Sequence, residues 1–284
     1  MWRRPFNKRY KEQLWFKLWI LESYSIRRLC VLSGHSRSKL QRIKNYWLSR
    51  LPQETFDYGE YKYLLFDGTY FHKQGCLIIL MDALTQKVIF NAYIDKEGYY
   101  SVLPFLLRLK KQGLRPWAIA IDGHQKVLMA IREVWPETTI QRCLYHIQRE
   151  GLRWLRTFPK TQAGKDLRTI LGNLHRIKSG LDRDLFWQIY RNWLKTYKTL
   201  VRSLPSSSVA FKDLKRTMAL INHAIPNMFH YLKDSRVPAT TNILESFYSR
   251  LKSDFRRHRG LSESHKRAYL HWYCYFKNQQ ITNT

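Results

Sequence analysis

Two short apolar stretches decide the fold of this chain, and each of them ends in Asp-Gly. Residues 61–69 read YKYLLFDGT, and residues 117–123 read WAIAIDG. The second stretch is apolar up to its aspartate, as strands are when a parallel sheet buries both of its faces. Open α/β sheets place their ligands beyond the carboxyl ends of the strands. Asp67 and Asp122 are therefore the first candidates for chemistry.

The sequence around these two stretches predicts an α/β fold that begins with an antiparallel hairpin. Three more strands and two intervening helices are predicted, at 76–81, 87–94 and 138–143 and at 98–112 and 124–134. From residue 144 to about 233 the apolar residues recur only at helical spacing, which predicts an all-helical insertion. A last helix is predicted at 240–257, and it completes the core order β-β-β-α-β-α-β-α.

Charge is the dominant feature of the composition. The 284 residues include 50 Lys and Arg against 21 Asp and Glu, a net charge of +29 at pH 7. Such an excess predicts a polyanionic partner, most often nucleic acid. With 44% hydrophobic and 15% aromatic residues, the chain is too apolar for a disordered basic tail. Residues 56–150 hold 12 basic and 10 acidic side chains, as expected for a carboxylate-bearing core between basic parts.

The apolar runs and the cysteines indicate the cellular environment in which the chain is expected to work. No apolar run approaches the length of a membrane span, so we expect no membrane partner. The four cysteines are scattered without a disulfide or CxxC pattern, which favours a reducing, cytoplasmic environment.

The basic N-terminus has the spacing of a helix-turn-helix. An amphipathic helix is predicted at 11–22, and a helix pair follows with its turn at Gly34, where glycine permits the necessary backbone. Ser36 or Ser38 fits the N-cap of the second helix. The side chains that this helix is expected to expose to a DNA major groove are Arg37, Lys39, Gln41, Arg42 and Lys44. An ordinary helical hairpin fits the same spacing.

Three carboxylates form the candidate catalytic set. Neighbouring strands would bring Asp67 and Asp122 into one site able to hold Mg²⁺. Glu245, on the predicted helix 240–257, is the candidate third ligand, because three carboxylates can hold two metals about 4 Å apart. The same helix carries basic residues for DNA, namely Lys252, Arg256 and Arg257.

Structural readings of the same residues stay open. Asp-Gly is an ordinary turn dipeptide. Asn242 and Glu245 have the spacing of a helix capping box, which would make Glu245 a structural cap. Three further acidic residues that follow strands are interpreted as turn or supporting residues: Asp82, Asp95 and Glu97.

Four motifs follow one another along the chain: Asp67-Gly-Thr, Ile121-Asp-Gly, Cys143-Leu-Tyr-His146 and Thr240-Thr-Asn-Ile-Leu-Glu245-Ser-x-x-Ser-x-Leu-Lys252. In this order they resemble DDE transposases of the Mutator type, which bacterial insertion sequences and related eukaryotic elements encode. The resemblance covers residues 60–260 or so. It implies an RNase H-like core split by the helical insertion.

The resemblance also implies an activity and a domain order. Asp67, Asp122 and Glu245 would hold two Mg²⁺ ions, with Mn²⁺ as a substitute, for cleavage at transposon ends and strand transfer of the 3′-hydroxyl into target DNA. The implied partners are the terminal inverted repeats, the target DNA and a second copy of the chain, in the bacterial nucleoid. The predicted domains are 1–55 (helix-turn-helix and linker), 56–150 (first part of the core), 151–235 (insertion) and 236–284 (final core helix and tail).

The Cys143-x-x-His146 motif has several readings. Alone it is half of a zinc site, but no second Cys/His pair of suitable spacing accompanies it. The resemblance places it near the active site, where it would steady the insertion or contact DNA. A buried cysteine beside a helix-terminal histidine is the plain structural alternative.

Alternatives to catalysis and to base stacking also remain. A retired transposase acting as a DNA-binding regulator, or a structure-selective RNase H-like nuclease, fits much of the same sequence.

The aromatic residues of the insertion are interpreted as core, although they also suit stacking on unpaired bases. They are Trp154, Trp187, Tyr190 and Trp193.

Overall fold

The computed structural model describes residues 5–71 and 75–282, which form eleven α-helices and five β-strands. The strands are β1 (Tyr63–Tyr70), β2 (Cys76–Asp82), β3 (Val88–Ile94), β4 (Ala118–Ile121) and β5 (Thr139–Arg142). The helices are α1 (Pro5–Leu21), α2 (Ile26–Ser33), α3 (Arg37–Leu48), α4 (Tyr99–Lys111), α5 (Gln125–Val134), α6 (Leu144–Leu155), α7 (Gln162–Gly172), α8 (Gly180–Ser203), α9 (Val209–Ala224), α10 (Asn242–Arg256) and α11 (Glu263–Thr282).

The five strands form a mixed sheet in the order β3-β2-β1-β4-β5. β4 pairs in parallel with β1 on one side and with β5 on the other, so that Ile121 aligns with both Phe66 and Arg142. β2 and β3 pair antiparallel. Asp82 closes the turn between them, since its Oδ2 accepts a hydrogen bond of 2.8 Å from the backbone N–H of Thr85. The predicted α/β fold and its five strands are confirmed.

β1 is longer than predicted. The apolar run suggested a strand ending at Phe66, but the strand continues to Tyr70. Its residues are buried up to Phe66, half-buried from Asp67 to Thr69 and exposed at Tyr70. The extension follows from the hairpin that β1 enters, where the N–H of Phe71 donates to the carbonyl of Gly75 at 2.9 Å. Asp67 therefore lies within a strand that extends beyond the end of its neighbour β4.

Residues 144–233, all of which the structure describes, contain helices and no strand, as predicted. Helices α6 to α9 share an apolar core. Tyr190 and Trp193 belong to this core, and the indole Nε1 of Trp193 donates to the carbonyl of Ala163 at 2.9 Å. The interpretation of these aromatic residues as core is confirmed for Tyr190 and Trp193.

The buried amide of Gln141 joins β5 to the chain that returns from the insertion. Its Oε1 accepts the backbone N–H of His230 at 3.0 Å, and its Nε2 donates to the carbonyl of Met228 at 2.7 Å. Since Gln141 is fully buried, each of these bonds replaces water that the amide has lost.

The main element that sequence analysis missed is α11, where only a tail was predicted. Its buried aromatic residues recur at the spacing of one helix face, as Tyr269, Trp272, Tyr273 and Phe276. This face packs on α1, α3 and β3, and the Trp272 indole donates to the carbonyl of Trp47 at 2.9 Å. Among the described helices, none is long and apolar enough to cross a membrane.

The described chain divides into two compact units. One contains residues 5–58, 68–71, 75–97 and 243–282, and the other contains residues 59–67 and 98–242. The first therefore includes α1 to α3 with α11, and the second includes β4, β5 and the four helices of the insertion. The predicted domain boundaries near residues 55, 150 and 235 stay predictions.

Candidate active site

Asp67 and Asp122 lie side by side. Each directly follows one member of the aligned pair Phe66 and Ile121, on parallel strands whose spacing is about 4.8 Å. Both side chains are half-buried at the point where the buried part of the sheet gives way to solvent. The structure thus brings together two of the three predicted carboxylates, with oxygen ligands of the kind that Mg²⁺ prefers.

The loop after β4 holds Asp122 in place. Asp122 Oδ1 accepts a hydrogen bond of 2.9 Å from the backbone N–H of His124, which begins the turn into α5. This bond orients one carboxylate oxygen toward the protein backbone. The opposite side of the loop faces Arg142 from β5, the strand on the far side of β4.

Arg142 is a buried cation beside Asp122. Its side chain is 4% exposed, and its Nε has no hydrogen-bond partner among the described residues. Burial lowers the pKa of the guanidinium, and the negative charge of Asp122 opposes that shift. A Cβ placed on Gly123 would lie 2.2 Å from Arg142 Nη2, so a larger residue here would require the guanidinium to shift. Sequence analysis did not identify Arg142.

A different side chain packs against Gly68, the residue after Asp67. A Cβ on Gly68 would lie 2.6 Å from Glu97 Oε2 and 3.1 Å from the Sγ of Cys76. Glu97 is 8% exposed, and its backbone N–H donates to the Tyr70 hydroxyl at 3.1 Å. Glu97 was interpreted as a turn or supporting residue, and this contact with the backbone of β1 agrees with a supporting position.

Glu245 lies in the first turn of α10 and is half-buried. It belongs to the compact unit that contains α11, whereas Asp67 and Asp122 belong to the other unit. Its role as third ligand stays a prediction. Within residues 5–71 and 75–282, no three His, Cys, Asp or Glu side chains converge closely enough to hold a metal ion.

The Cys143-x-x-His146 pair contacts Thr241, the residue just before α10. Cys143 Sγ accepts two hydrogen bonds from Thr241, one from its backbone N–H at 3.3 Å and one from its hydroxyl at 3.4 Å. The same hydroxyl lies 3.5 Å from His146 Nδ1. Burial alone would raise the pKa of the Cys143 thiol, but hydrogen bonds from His146 and Thr241 outweigh it and lower that pKa. Sequence analysis identified the motif but not its partner.

The predicted DNA-facing helix is α3. Ser36 is its N-cap, accepting from the N–H of Lys39, and Gly34 adopts the left-handed conformation with φ of 66°. Arg37 and Arg42 are exposed, as predicted.

The other three side chains of α3 are less exposed than predicted. Gln41, Lys39 and Lys44 are half-buried. The ammonium of Lys39 is 3.8 Å from Glu12, and that of Lys44 lies 5.7 Å from the ring centre of Trp19. Burial lowers the pKa of Lys44. Lys39 and Lys44 turn toward α1 because it supplies a carboxylate and an aromatic face, which a sequence pattern for α3 alone cannot show.

The basic end of α10 resembles its prediction more closely. Arg256 and Arg257 are exposed, while Lys252 is half-buried with its ammonium 5.6 Å from the ring centre of Phe71. Arg259 extends the exposed positive surface beyond the helix. Two neighbouring exposed arginines are suited to phosphate groups.

Fold and site together define an α/β protein that carries an acidic pair on two adjacent parallel strands. The sequence matches the family model described as "Transposase, Mutator family" over residues 61–264, well over half of the chain. The chain belongs to the Mutator family of transposases, which confirms the resemblance read from its motifs.

Comparison with individual proteins adds little to the family match. None of the curated proteins is similar enough to the chain to count as a relative. Among solved structures, the chain is similar to "Drosophila P element transposase strand transfer complex", with 13% identity and a TM-score of 0.35. That match covers 100% of this chain and 83% of the other.

Proposed function

We propose that this Mutator-family transposase cleaves DNA at the ends of its element and joins the freed 3′-hydroxyl to target DNA. The observation that carries the proposal is the alignment of Phe66 with Ile121, which sets Asp67 beside Asp122. Two carboxylates on adjacent strand positions repel each other unless cations or protons offset their charge. A shared cation site is therefore the natural use of this pair.

The core around this pair supports an RNase H-like assignment. The strands and helices follow the order β1-β2-β3-α4-β4-α5-β5, and the helical insertion α6 to α9 comes before α10. Within this proposal Asp67 and Asp122 come from the first and fourth strands, and Glu245 comes from the helix after the insertion.

Asp67, Asp122 and Glu245 would hold two Mg²⁺ ions, for which Mn²⁺ can substitute. When bound, such ions activate water or a 3′-hydroxyl as nucleophile and stabilise the leaving oxygen. The chain itself fixes the carboxylates. The N–H of His124 orients one oxygen of Asp122, and the buried guanidinium of Arg142 lies beside that aspartate.

DNA contact falls to exposed basic side chains in this proposal. The pair α2 and α3 acts as a helix-turn-helix, with Arg37 and Arg42 facing the terminal inverted repeats. Arg256 and Arg257 contact phosphates near the site of cleavage. Pairing of two element ends calls for at least a dimer on DNA.

The decisive experiment compares the wild-type chain with Glu245→Gln on labelled DNA that carries the inverted repeats, with a target plasmid and Mg²⁺ or Mn²⁺. We expect metal-dependent nicks and joined products from the wild type and none from Glu245→Gln. Glu263→Gln is the matched control, because Glu263 also lies in the first turn of a helix.

Each other outcome identifies a different function. Binding without cleavage by the wild type would indicate a DNA-binding regulator. Preference for branched over linear DNA would indicate a structure-selective nuclease. Full activity of Glu245→Gln would remove Glu245 from the site.

DNA recognition is tested separately by salt dependence. Each neutralised phosphate contributes a slope of about −0.9 in log affinity against log salt. Arg37→Ala and Arg42→Ala should each flatten that slope by about one such unit, whereas Lys39→Ala should change it less, because Lys39 is paired with Glu12. Equal effects of all three variants would contradict the assignment of α3.

A further inference from the structure

The junction between β5 and α6 makes a dense set of contacts with the segment before α10. Cys143 and Thr241 are both fully buried. Besides the two hydrogen bonds that Thr241 donates to Cys143 Sγ, the first N–H of α6, from Leu144, donates to the carbonyl of Ala239 at 3.0 Å. Two residues of the incoming segment are thus attached to two successive residues at the start of α6.

The sulfur of Cys143 is an unusually well-supplied acceptor. A neutral thiol accepts hydrogen bonds weakly. Here the donors come from Thr241 and from His146, and together they lower the pKa of the thiol despite its burial. Hydrogen bonds strengthen as the acceptor gains negative charge. The motif therefore holds Thr241 through both its backbone N–H and its hydroxyl.

Thr241 directly precedes α10. Asn242 is the first residue of that helix and Glu245 lies in its first turn. At a rise of about 1.5 Å per residue, Glu245 is only about 6 Å along the helix axis from Thr241. A helix transmits the placement of its first residue to the rest of its first turn, because its backbone hydrogen bonds fix the dihedral angles between them.

We infer that Cys143 and His146 are positioning residues, which fix Thr241 and through it set the place of Glu245. This inference rests on the proposed function, since it takes Glu245 as a metal-binding carboxylate. It gives the Cys-x-x-His motif a role that requires neither zinc nor a DNA contact.

The test uses paired substitutions in the full chain. Thr241→Val has nearly the shape of threonine but loses the hydroxyl donor, and Thr241→Ser keeps it. Cys143→Ala loses the acceptor, and Cys143→Ser keeps one. The matched control is Thr217→Val, because Thr217 is also fully buried and donates its hydroxyl, at 2.8 Å, to the carbonyl of Asp213 within α9.

Cleavage of labelled ends is measured with Mg²⁺ and with Mn²⁺. Thr241→Val should cleave roughly tenfold more slowly in Mg²⁺, the size expected for the loss of one buried hydrogen bond at a step that depends on it. The loss should be smaller in Mn²⁺, because Mg²⁺ demands near-ideal octahedral geometry and tolerates a displaced ligand poorly. Thr241→Ser and Thr217→Val should keep wild-type rates and the wild-type ratio between the two metals.

Binding of Mn²⁺ without DNA, followed by electron paramagnetic resonance, provides a second readout. Thr241→Val should weaken Mn²⁺ binding in the wild-type background and have no further effect in Glu245→Gln, where the ligand is already gone. An equal loss in both backgrounds, or a cleavage loss that matches a fall in melting temperature with an unchanged metal ratio, would show a purely structural role.

The two proposals fail in different ways. Wild-type protein that neither binds Mn²⁺ nor cleaves would overturn the proposed function and this inference with it. Active wild-type protein alongside fully active Thr241→Val and Cys143→Ala would overturn the positioning role alone.

Discussion

The two Asp-Gly dipeptides look the same in sequence, but side chains of opposite charge pack against their glycines. The glycine at 68 faces the buried carboxylate of Glu97, and the glycine at 123 faces the buried guanidinium of Arg142. Asp67 lies inside a strand that continues for three more residues, whereas Asp122 lies just past the end of β4.

This difference shows why glycine follows each aspartate. Neither Gly68 nor Gly123 has a positive φ, so neither is there for the left-handed backbone that turns often require. Both are there because a side chain packs where their Cβ would be. The turn reading of Asp-Gly is therefore wrong for Asp67, which lies within β1, whereas Asp122 does lie in a loop, after β4. Both dipeptides mark places where the backbone closely approaches a buried charged side chain.

The largest expected effect tests whether the aspartates act as a pair. Asp67→Asn and Asp122→Asn should each lower the rate of strand cleavage by roughly a thousandfold or more, since each removes charge that a bound cation needs. Both variants should bind labelled ends as the wild type does. Asp184→Asn, an exposed change of the same kind on α8, should leave cleavage intact. Substantial cleavage by Asp67→Asn or by Asp122→Asn would contradict the hypothesis that the two aspartates act together.

The next effect concerns the glycines. Gly68→Ala and Gly123→Ala should each lower the free energy of unfolding by about 1–3 kcal/mol, because the added methyl overpacks a filled space. Urea unfolding measures this. Gly172→Ala, near the end of α7 with nothing within 4 Å of the added Cβ, should be neutral or stabilising by up to about 1 kcal/mol. A wild-type stability for Gly123→Ala would mean that the guanidinium is free to move.

A double-mutant cycle distinguishes the two glycines. Arg142→Gln shortens the side chain that the added methyl of Gly123→Ala would meet, so it should reduce the destabilisation that Gly123→Ala causes. We expect a coupling free energy of about 0.5–3 kcal/mol. Gly68→Ala should add to Arg142→Gln without coupling, since Glu97 and Cys76 are what its Cβ meets. The cycle is measured by urea unfolding of the single and double variants. Coupling of Arg142→Gln with both glycine variants would contradict the view that Arg142 packs on Gly123 alone.

The smallest effect is expected at Glu97. Glu97→Gln keeps the shape that packs on Gly68 while removing the charge, so the cleavage rate should fall by about tenfold or less, the lower end for residues that support a metal ligand. The measurement is the same cleavage assay, with Asp184→Asn as reference. A loss as large as that of Asp67→Asn would make Glu97 a ligand rather than a support.

Much of the fold was predictable because burial leaves a strong periodic signal. The apolar run before Asp122 predicted β4, and the gap without strand pattern predicted the insertion. The adjacency of the two aspartates required only that the two strands be neighbours. No local pattern contains the contacts between residues that are distant in sequence. The position of Arg142 and the role of Thr241 were therefore missed, although Arg142 precedes Cys143 and Thr241 lies within the fourth motif.

The predicted exposure of side chains on α3 was inaccurate for the same reason. A helical pattern assigns Lys39 and Lys44 to the polar face, but it does not show that α1 offers Glu12 and Trp19 as partners. The missed α11 has a related cause. Its aromatic residues are rich in hydroxyl and indole groups, so its polarity resembles that of an exposed tail until the surface it covers is known.

The packing of α11 on α1 and α3 has a consequence for how DNA specificity can be exchanged. Phe16 and Trp272, from opposite ends of the sequence, have ring centres 5.4 Å apart, and the indole of Trp272 also donates to the carbonyl of Arg50. Helices α2 and α3 therefore pack with α1 and α11 in one compact unit. If α3 reads the ends of the element, as proposed, a chimera with foreign end specificity would have to transplant α1 to α3 together with α11.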